Sequence, residues 1–236
     1  MPTTFNVKWD ETGERYWETG VDRGVLYPDE VTNPTTDDAG KAYKGAVAWN
    51  GLTSVTETPS GAEANDLYAD NMLYASLRSA EKFGGTIEAY MYPDEFAKCN
   101  GEKSPTNATG VYVGQQKRSR FGFSYRSDVG SDQDSAVEVD TGYKLHLWYN
   151  CTASPSERQY QTVNDSPEAI TMSWEITTTP IKLTTEGFAP TALIVIDSTK
   201  ANAAKLAALE AVLYGSGETA GYLPTPDQVL SMMAAQ

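Results

Sequence analysis

Histidine occurs once in these 236 residues and cysteine twice, which removes most site chemistry built on those groups. A single histidine leaves little room for a histidine-based metal centre or a nucleophile–base–acid triad. Cys99 and Cys151 are far apart and match neither a disulfide framework nor a metal spacing, so both are expected to be reduced thiols of a protein made in the cytoplasm. Long apolar runs are also missing. The longest, residues 192–196, is five residues, against the 18 or more of a membrane helix. Residues 1–8 contain no apolar core segment, which predicts no signal peptide. Positive charge is scarce: 18 Lys and Arg face 32 Asp and Glu, for a net charge of −14. Such a chain is poorly suited to bind nucleic acid by neutralising phosphates, and beside DNA it would repel it.

What is present describes a globular, strand-rich protein. The length fits one large domain, or one with an appendage, and can bury most of its apolar surface. Residues 1 to about 30 read as an arm leading into a first strand: Phe5, Val7 and Trp9 alternate, and residues 20–27 bring two glycines before Pro28 stops it. Residues 28–44 hold little to bury and read as a mobile surface loop. Strand formers surround the Asn50-Gly51 turn in residues 46–56. Residues 67–78 and 86–92 can pair across Gly84-Gly85, although Leu73, Leu77 and Ala80 also fit a helical face. Residues 93–101 look like one helical turn.

Residues 110–125 alternate in part. Residues 142–152 place Leu145, Leu147 and Tyr149 on one face, with His146 and Trp148 on the other. Residues 171–179 set Met172, Trp174 and Ile176 against polar neighbours, and residues 192–196 read as a buried strand. Helix text comes last, from a cap at Asp197 or Ser198 to Tyr214 and a stop at Gly215. The tail, with Pro224 and Pro226, ends in a short apolar-spotted turn. Many strands followed by one helix make a β-sandwich or barrel, not an alternating α/β protein.

The groups that suggest chemistry have simpler explanations. His146 and Cys151 share a strand but are five apart, which on a regular strand turns them to opposite faces. Asp128, Asp132 and Asp134 lack the alternation, glycine and terminal glutamate of a calcium loop and read as a solvated turn. The glycine-rich residues 215–221 follow a helix instead of opening one, so they read as a stop and a joint. Lys117, Arg118, Arg120 and Arg126 lie near Phe121, Phe123 and Tyr125. That stripe resembles a single-strand binder, but at net −14 salt bridges to an acidic neighbouring subunit fit better. No catalytic, cofactor-binding or metal residue emerges, and the chain is not expected to be an enzyme.

Several stretches together resemble the major tail proteins of siphovirus-type bacteriophages. They are Val47-Ala48-Trp49-Asn50-Gly51-Leu52-Thr53, Tyr68-Ala69-Asp70-Asn71, residues 79–96, Gly114-Gln115-Gln116-Lys117-Arg118 with Phe123-Ser124-Tyr125-Arg126, and residues 209–215 followed by Tyr222-Leu223-Pro224-Thr225-Pro226-Asp227. The resemblance implies a mainly β, sandwich or barrel tail-tube fold with one C-terminal helix and extended arms. Residues 1–198 would form the tube-building domain with its long loop 28–44, and residues 199–236 the helix and arm. It further implies rings, usually hexameric, stacked into a hollow virion tail that carries double-stranded DNA without binding it specifically. Partners would be further copies of the chain and the tape measure, tail-tip and terminator proteins, with assembly in the host cytoplasm and no cofactor or membrane. The resemblance also places ring-to-ring contacts in the 28–44 loop and the terminal arms. The charge agrees, since an acidic lumen would repel DNA where a basic one would trap it. The rival reading is a β-sandwich module that recognises carbohydrate or a receptor through Trp9, Trp17, Trp49, Trp148 and Trp174; exposed tryptophans would favour it.

Overall fold

The computed structural model describes residues 9, 13–32, 35–132, 142–162 and 169–234. The strand expected around Phe5 and Val7 lies outside them, as does Asp134. In chain order the elements begin with β1 (Tyr16–Tyr27), β2 (Asp29–Glu30), β3 (Lys41–Lys44), β4 (Val47–Ala48) and β5 (Leu52–Glu57). Next come β6 (Ala64–Ala69), β7 (Met72–Arg78), β8 (Gly84–Ala89), β9 (Phe121–Ser131), β10 (Gly142–Ala153), β11 (Met172–Thr178) and β12 (Leu193–Asp197). The chain finishes with α1 (Ala203–Tyr214), β13 (Gly215–Ser216), β14 (Thr219–Ala220), β15 (Tyr222–Pro224) and α2 (Pro226–Met233).

Eight strands form one antiparallel sheet in the order β4-β1-β9-β10-β11-β8-β5, with β12 also paired to β10. The two edge strands, β4 and β5, are joined only by residues 49–51. So short a link forces the sheet to roll until its edges approach. Hydrogen bonds extend the two edge ladders into the link: the Trp49 N–H donates to the Gly24 carbonyl at 2.8 Å beside β1, and the Tyr90 N–H to the Gly51 carbonyl at 2.9 Å beside β8. A Cβ at Gly24 would meet Leu52 Cδ1 and force that side chain to move, which marks the close approach of β1 and β5.

The roll encloses an aromatic core. Trp49 packs on Phe96, Phe123 and Trp174 with ring centroids 4.6–5.6 Å apart, and Phe123 packs on Trp148 at 5.8 Å. Each fully buried aromatic or aliphatic side chain contributes roughly 1.5–3 kcal/mol by leaving water. The alternation expected in β10 holds: His146 and Trp148 face into the roll, while Leu145, Leu147 and Tyr149 face out. That outer face is buried as well. Leu206, Leu209 and Leu213 of α1, Leu223 of β15 and Val229 of α2 pack on it. The sheet β15-β3-β2 closes the same side, with Tyr43 fully buried. Strand β9 is therefore buried on both faces. The fold is a mainly β, sandwich-like roll with a C-terminal helical layer.

Helix α1 starts at Asn202, whose side chain accepts from the N–H groups of Ala204 and Lys205 at 3.1 and 3.2 Å, and it ends at Gly215 with φ +84°. The expected cap at Asp197 or Ser198 is displaced because Asp197 ends β12 and binds the N–H and hydroxyl of Thr199 instead. Helix α2, where only a turn was expected, is capped by Thr225 with Pro226 in its first turn.

Four further expectations fail for physical reasons. Residues 28–44 are not a loop: β2 and β3 lie there, and Ala42 and Tyr43 enter the outer core. Residues 67–78 do not pair with 86–92. They fold on themselves at Asp70-Asn71, and β8 pairs with β5 and β11. Residues 110–120 are irregular, with only Val113 bridged to Lys103, and strand structure begins at Phe121. Strand β12 is not fully buried: it pairs with β10 alone, leaving Val195 43% exposed.

Candidate assembly surface

The hairpin β6–β7 projects from the roll. It leaves the end of β5, returns to the start of β8, and is pinned at its base by reciprocal backbone bonds between Ser60 and Lys82 at 2.7 and 2.8 Å. Its turn has Asp70 at φ +51° and Asn71 at φ +61°, both left-handed, the twist that suits a two-residue hairpin. Asp and Asn tolerate that region better than other non-glycine residues. A bulge after Leu67 increases the twist.

This hairpin is apolar and uncovered. Tyr68, Met72 and Tyr74 are 72%, 69% and 76% exposed, and Leu67, Leu73 and Leu77 are exposed beside them. On the register, Leu67, Ala75 and Leu77 share one face and Tyr68 and Leu73 the other. A two-stranded hairpin is at best marginally stable alone in water, and an apolar patch of this kind marks an interaction surface. The opposite end of β8 opens into residues 90–120. The start of that stretch is anchored by Phe96 in the core and by the Trp49 indole N–H donating to Met91 at 3.0 Å.

A second arrangement was not anticipated. His146 Nδ1 lies 2.9 Å from Glu57 Oε1 and its Nε2 lies 3.1 Å from Ser127 Oγ, the order of a serine–histidine–carboxylate relay. The signal could not be read from sequence because the three residues sit on β10, β5 and β9. Ser127 lies mid-strand in β9, paired with Lys144 of β10, not on a turn or helix start that would aim spare N–H groups at an oxyanion. The Glu57 oxygen is also shared, accepting from Tyr125 Oη at 2.8 Å and the Trp148 indole at 3.3 Å. The Ser127 hydroxyl is likewise 3.3 Å from Glu18. The arrangement ties β5 to β9 and β10 inside the roll.

The sequence candidates resolve as follows. The bulge at Asn150, φ +49°, returns Cys151 to the same inward face as His146, so the opposite-face expectation fails. Cys151 is nevertheless inert, because full burial pushes its thiol well above the usual range. Burial likewise pushes the Cys99 thiol up to about 12. Asp128 belongs to β9 and not to a turn, while Asp132 accepts from the Gly13 N–H at 2.6 Å. Phe121, Phe123 and Tyr125 are buried, so no base could stack on them. Arg126 finds its carboxylate in its own chain, bonding Asp22 at 3.1 and 3.3 Å and lying 4.0 Å over the Tyr143 ring. Trp49, Trp148 and Trp174 are core residues, which leaves only Trp9 and Trp17 exposed among the five. Among the described residues no cluster of three His, Cys, Asp or Glu side chains is placed to hold a metal, and no helix is long and apolar enough to cross a membrane.

A rolled β-structure in which Glu57, Ser127 and His146 tie three strands together, and whose prominent feature is an uncovered apolar hairpin, fits a structural, self-associating class of protein. Residues 30–217 match the family of phage tail tube proteins, and the chain belongs to that family. No curated protein matches the chain. The family is a structural one, a component of the virion tail, and its members build a tube with other tail proteins.

Proposed function

We propose that this chain is the major tail tube subunit, forming hexameric rings that stack into a hollow conduit for double-stranded DNA during ejection. The observation that carries this reading is the exposed apolar hairpin β6–β7, a patch of the kind that marks an interaction surface. The net charge of −14 supports a passage that repels DNA instead of binding it. Residues 1–198 would build the tube and residues 199–236 add the helical layer and arm. The 28–44 segment and the terminal arms would contribute ring contacts, the tape measure, tail-tip and terminator proteins would complete the tail, and assembly would precede release from the host cytoplasm. No catalytic, cofactor or metal site is assigned.

The test is negative-stain electron microscopy of the purified chain across a concentration series, with and without tail-tip components. Six-fold rings or hollow tubes are expected. A chain that stays monomeric even with those components overturns the reading.

A further inference from the structure

We propose that the β6–β7 hairpin of one copy docks on the 101–120 segment of the next, laying its apolar surface on Val111, Tyr112 and Val113 with acidic side chains against basic ones. This rests on the tube reading and names the receptor for its projecting element.

Three observations converge. First, the 101–120 segment carries its own uncovered apolar strip: Val111, Tyr112 and Val113 are all exposed. The strip is held by reciprocal backbone bonds between Lys103 and Val113 at 2.9 and 3.0 Å.

Second, the charges are complementary in a chain that is acidic overall. Residues 101–120 hold Lys103, Lys117, Arg118 and Arg120 against the single acid Glu102. Glu102 is engaged by Arg158 at 3.1 Å, Arg118 donates to the Ala153 carbonyl at 3.1 Å and Arg120 lies 3.9 Å from Glu30, which leaves Lys103 and Lys117 to face a partner. The hairpin holds Glu63, Asp66 and Asp70 against Arg78. Asp66, Asp70, Lys103 and Lys117 are all exposed. Complementary charge around an apolar patch sets partner choice and register.

Third, topology separates the two surfaces. The hairpin enters the start of β8, and the excursion leading to residues 101–120 leaves its end. One copy therefore presents the hairpin at one end of this strand and its receptor at the other. A contact between different patches of identical chains is heterologous and repeats from copy to copy instead of closing as a dimer.

The test is disulfide trapping in the assembled full-length protein, made simple because both native thiols are buried. Two single variants, Leu73→Cys and Tyr112→Cys, are assembled separately and as a mixture, then oxidised and run without reductant. A covalent dimer in the mixture and not in either variant alone is expected. Tubes that form without it, or a Leu73→Cys homodimer that signals hairpin-to-hairpin pairing, overturn the proposal while leaving the tube reading intact. Wild-type protein that forms no tube overturns both.

Charge reversal supplies an independent readout. Lys103→Glu with Lys117→Glu should cut assembly at least about tenfold, and adding Asp66→Lys and Asp70→Lys should restore it. Failure of that rescue, with thermal melts unchanged, overturns the charge pairing.

Discussion

Glu57 sets one carboxylate oxygen against donors from Tyr125, His146 and Trp148, on two strands other than its own. Burial would raise its pKa, but those hydrogen bonds outweigh burial and hold it below the usual carboxylate range. A group depressed on folding stabilises at pH above its unfolded value, and the contribution is lost as pH falls through the folded one. Removing the carboxylate strands buried donors, each costing about 1–3 kcal/mol. Glu57→Ala is therefore expected to lower unfolding stability by about 3 kcal/mol in a urea titration, and a loss under about 0.5 kcal/mol would remove its role as a tie.

Asp227 offers a cleaner titration. It accepts from the Thr184 N–H at 3.0 Å, the Thr185 N–H at 3.1 Å and the Thr185 hydroxyl at 2.8 Å, which brings it from an ordinary 3.8 to about 2. Its contribution is present above 3.8 and is lost as pH falls toward 2. Asp227→Asn should therefore flatten the fall of Tm across that window. Parallel acid limbs in the two proteins would show that the residue does not couple to folding.

At the scale of elements, the hairpin is built to bind and the roll to persist. Tyr68 and Leu73 lie on the same exposed face of β6–β7 and support nothing beneath them. Replacing both with serine should leave Tm within the small range of ordinary surface changes while abolishing tubes by sedimentation. Leu213 of α1 is fully buried against the outer face of the sheet, so Leu213→Ala should cost roughly 2–5 kcal/mol in a urea titration. If the hairpin variant loses Tm as well, β6–β7 is part of the fold and not an appendage.

The same contrast explains what could be read in advance. The alternation of β11 was legible because one face fills the aromatic core and period two records that directly. In β10, buried on both faces, the alternation separates His146 and Trp148 from the leucines of the outer core. The C-terminal helix was legible from its leucines. The hairpin was not, because both of its faces are apolar and exposed, so burial imposes no period and only Asp70-Asn71 marks the turn. Residues 28–44 misled for the opposite reason: two short strands hide among polar residues, and Tyr43 is buried by contacts distant in sequence. The bulge at Asn150 shows how one left-handed residue reverses a facing argument drawn from spacing alone.

For the whole molecule the deciding balance is between range and contact. Copies that each carry −14 repel one another over the Debye length, about 30 Å at 0.01 M salt but only about 8 Å at 0.15 M. Acid–base pairing at the hairpin acts over a few ångströms and survives that first increase. Near 1 M, where the screening length is about 3 Å, the local pairing weakens too, and burial of Tyr68, Leu73 and Tyr112 is left to hold the contact. Assembly followed by light scattering should therefore accelerate from 0.01 to 0.15 M and slow again toward 1 M. A rate that falls steadily from the lowest salt would mean that local attraction already governs encounter and that the overall acidity of the chain sets no barrier to building the tube.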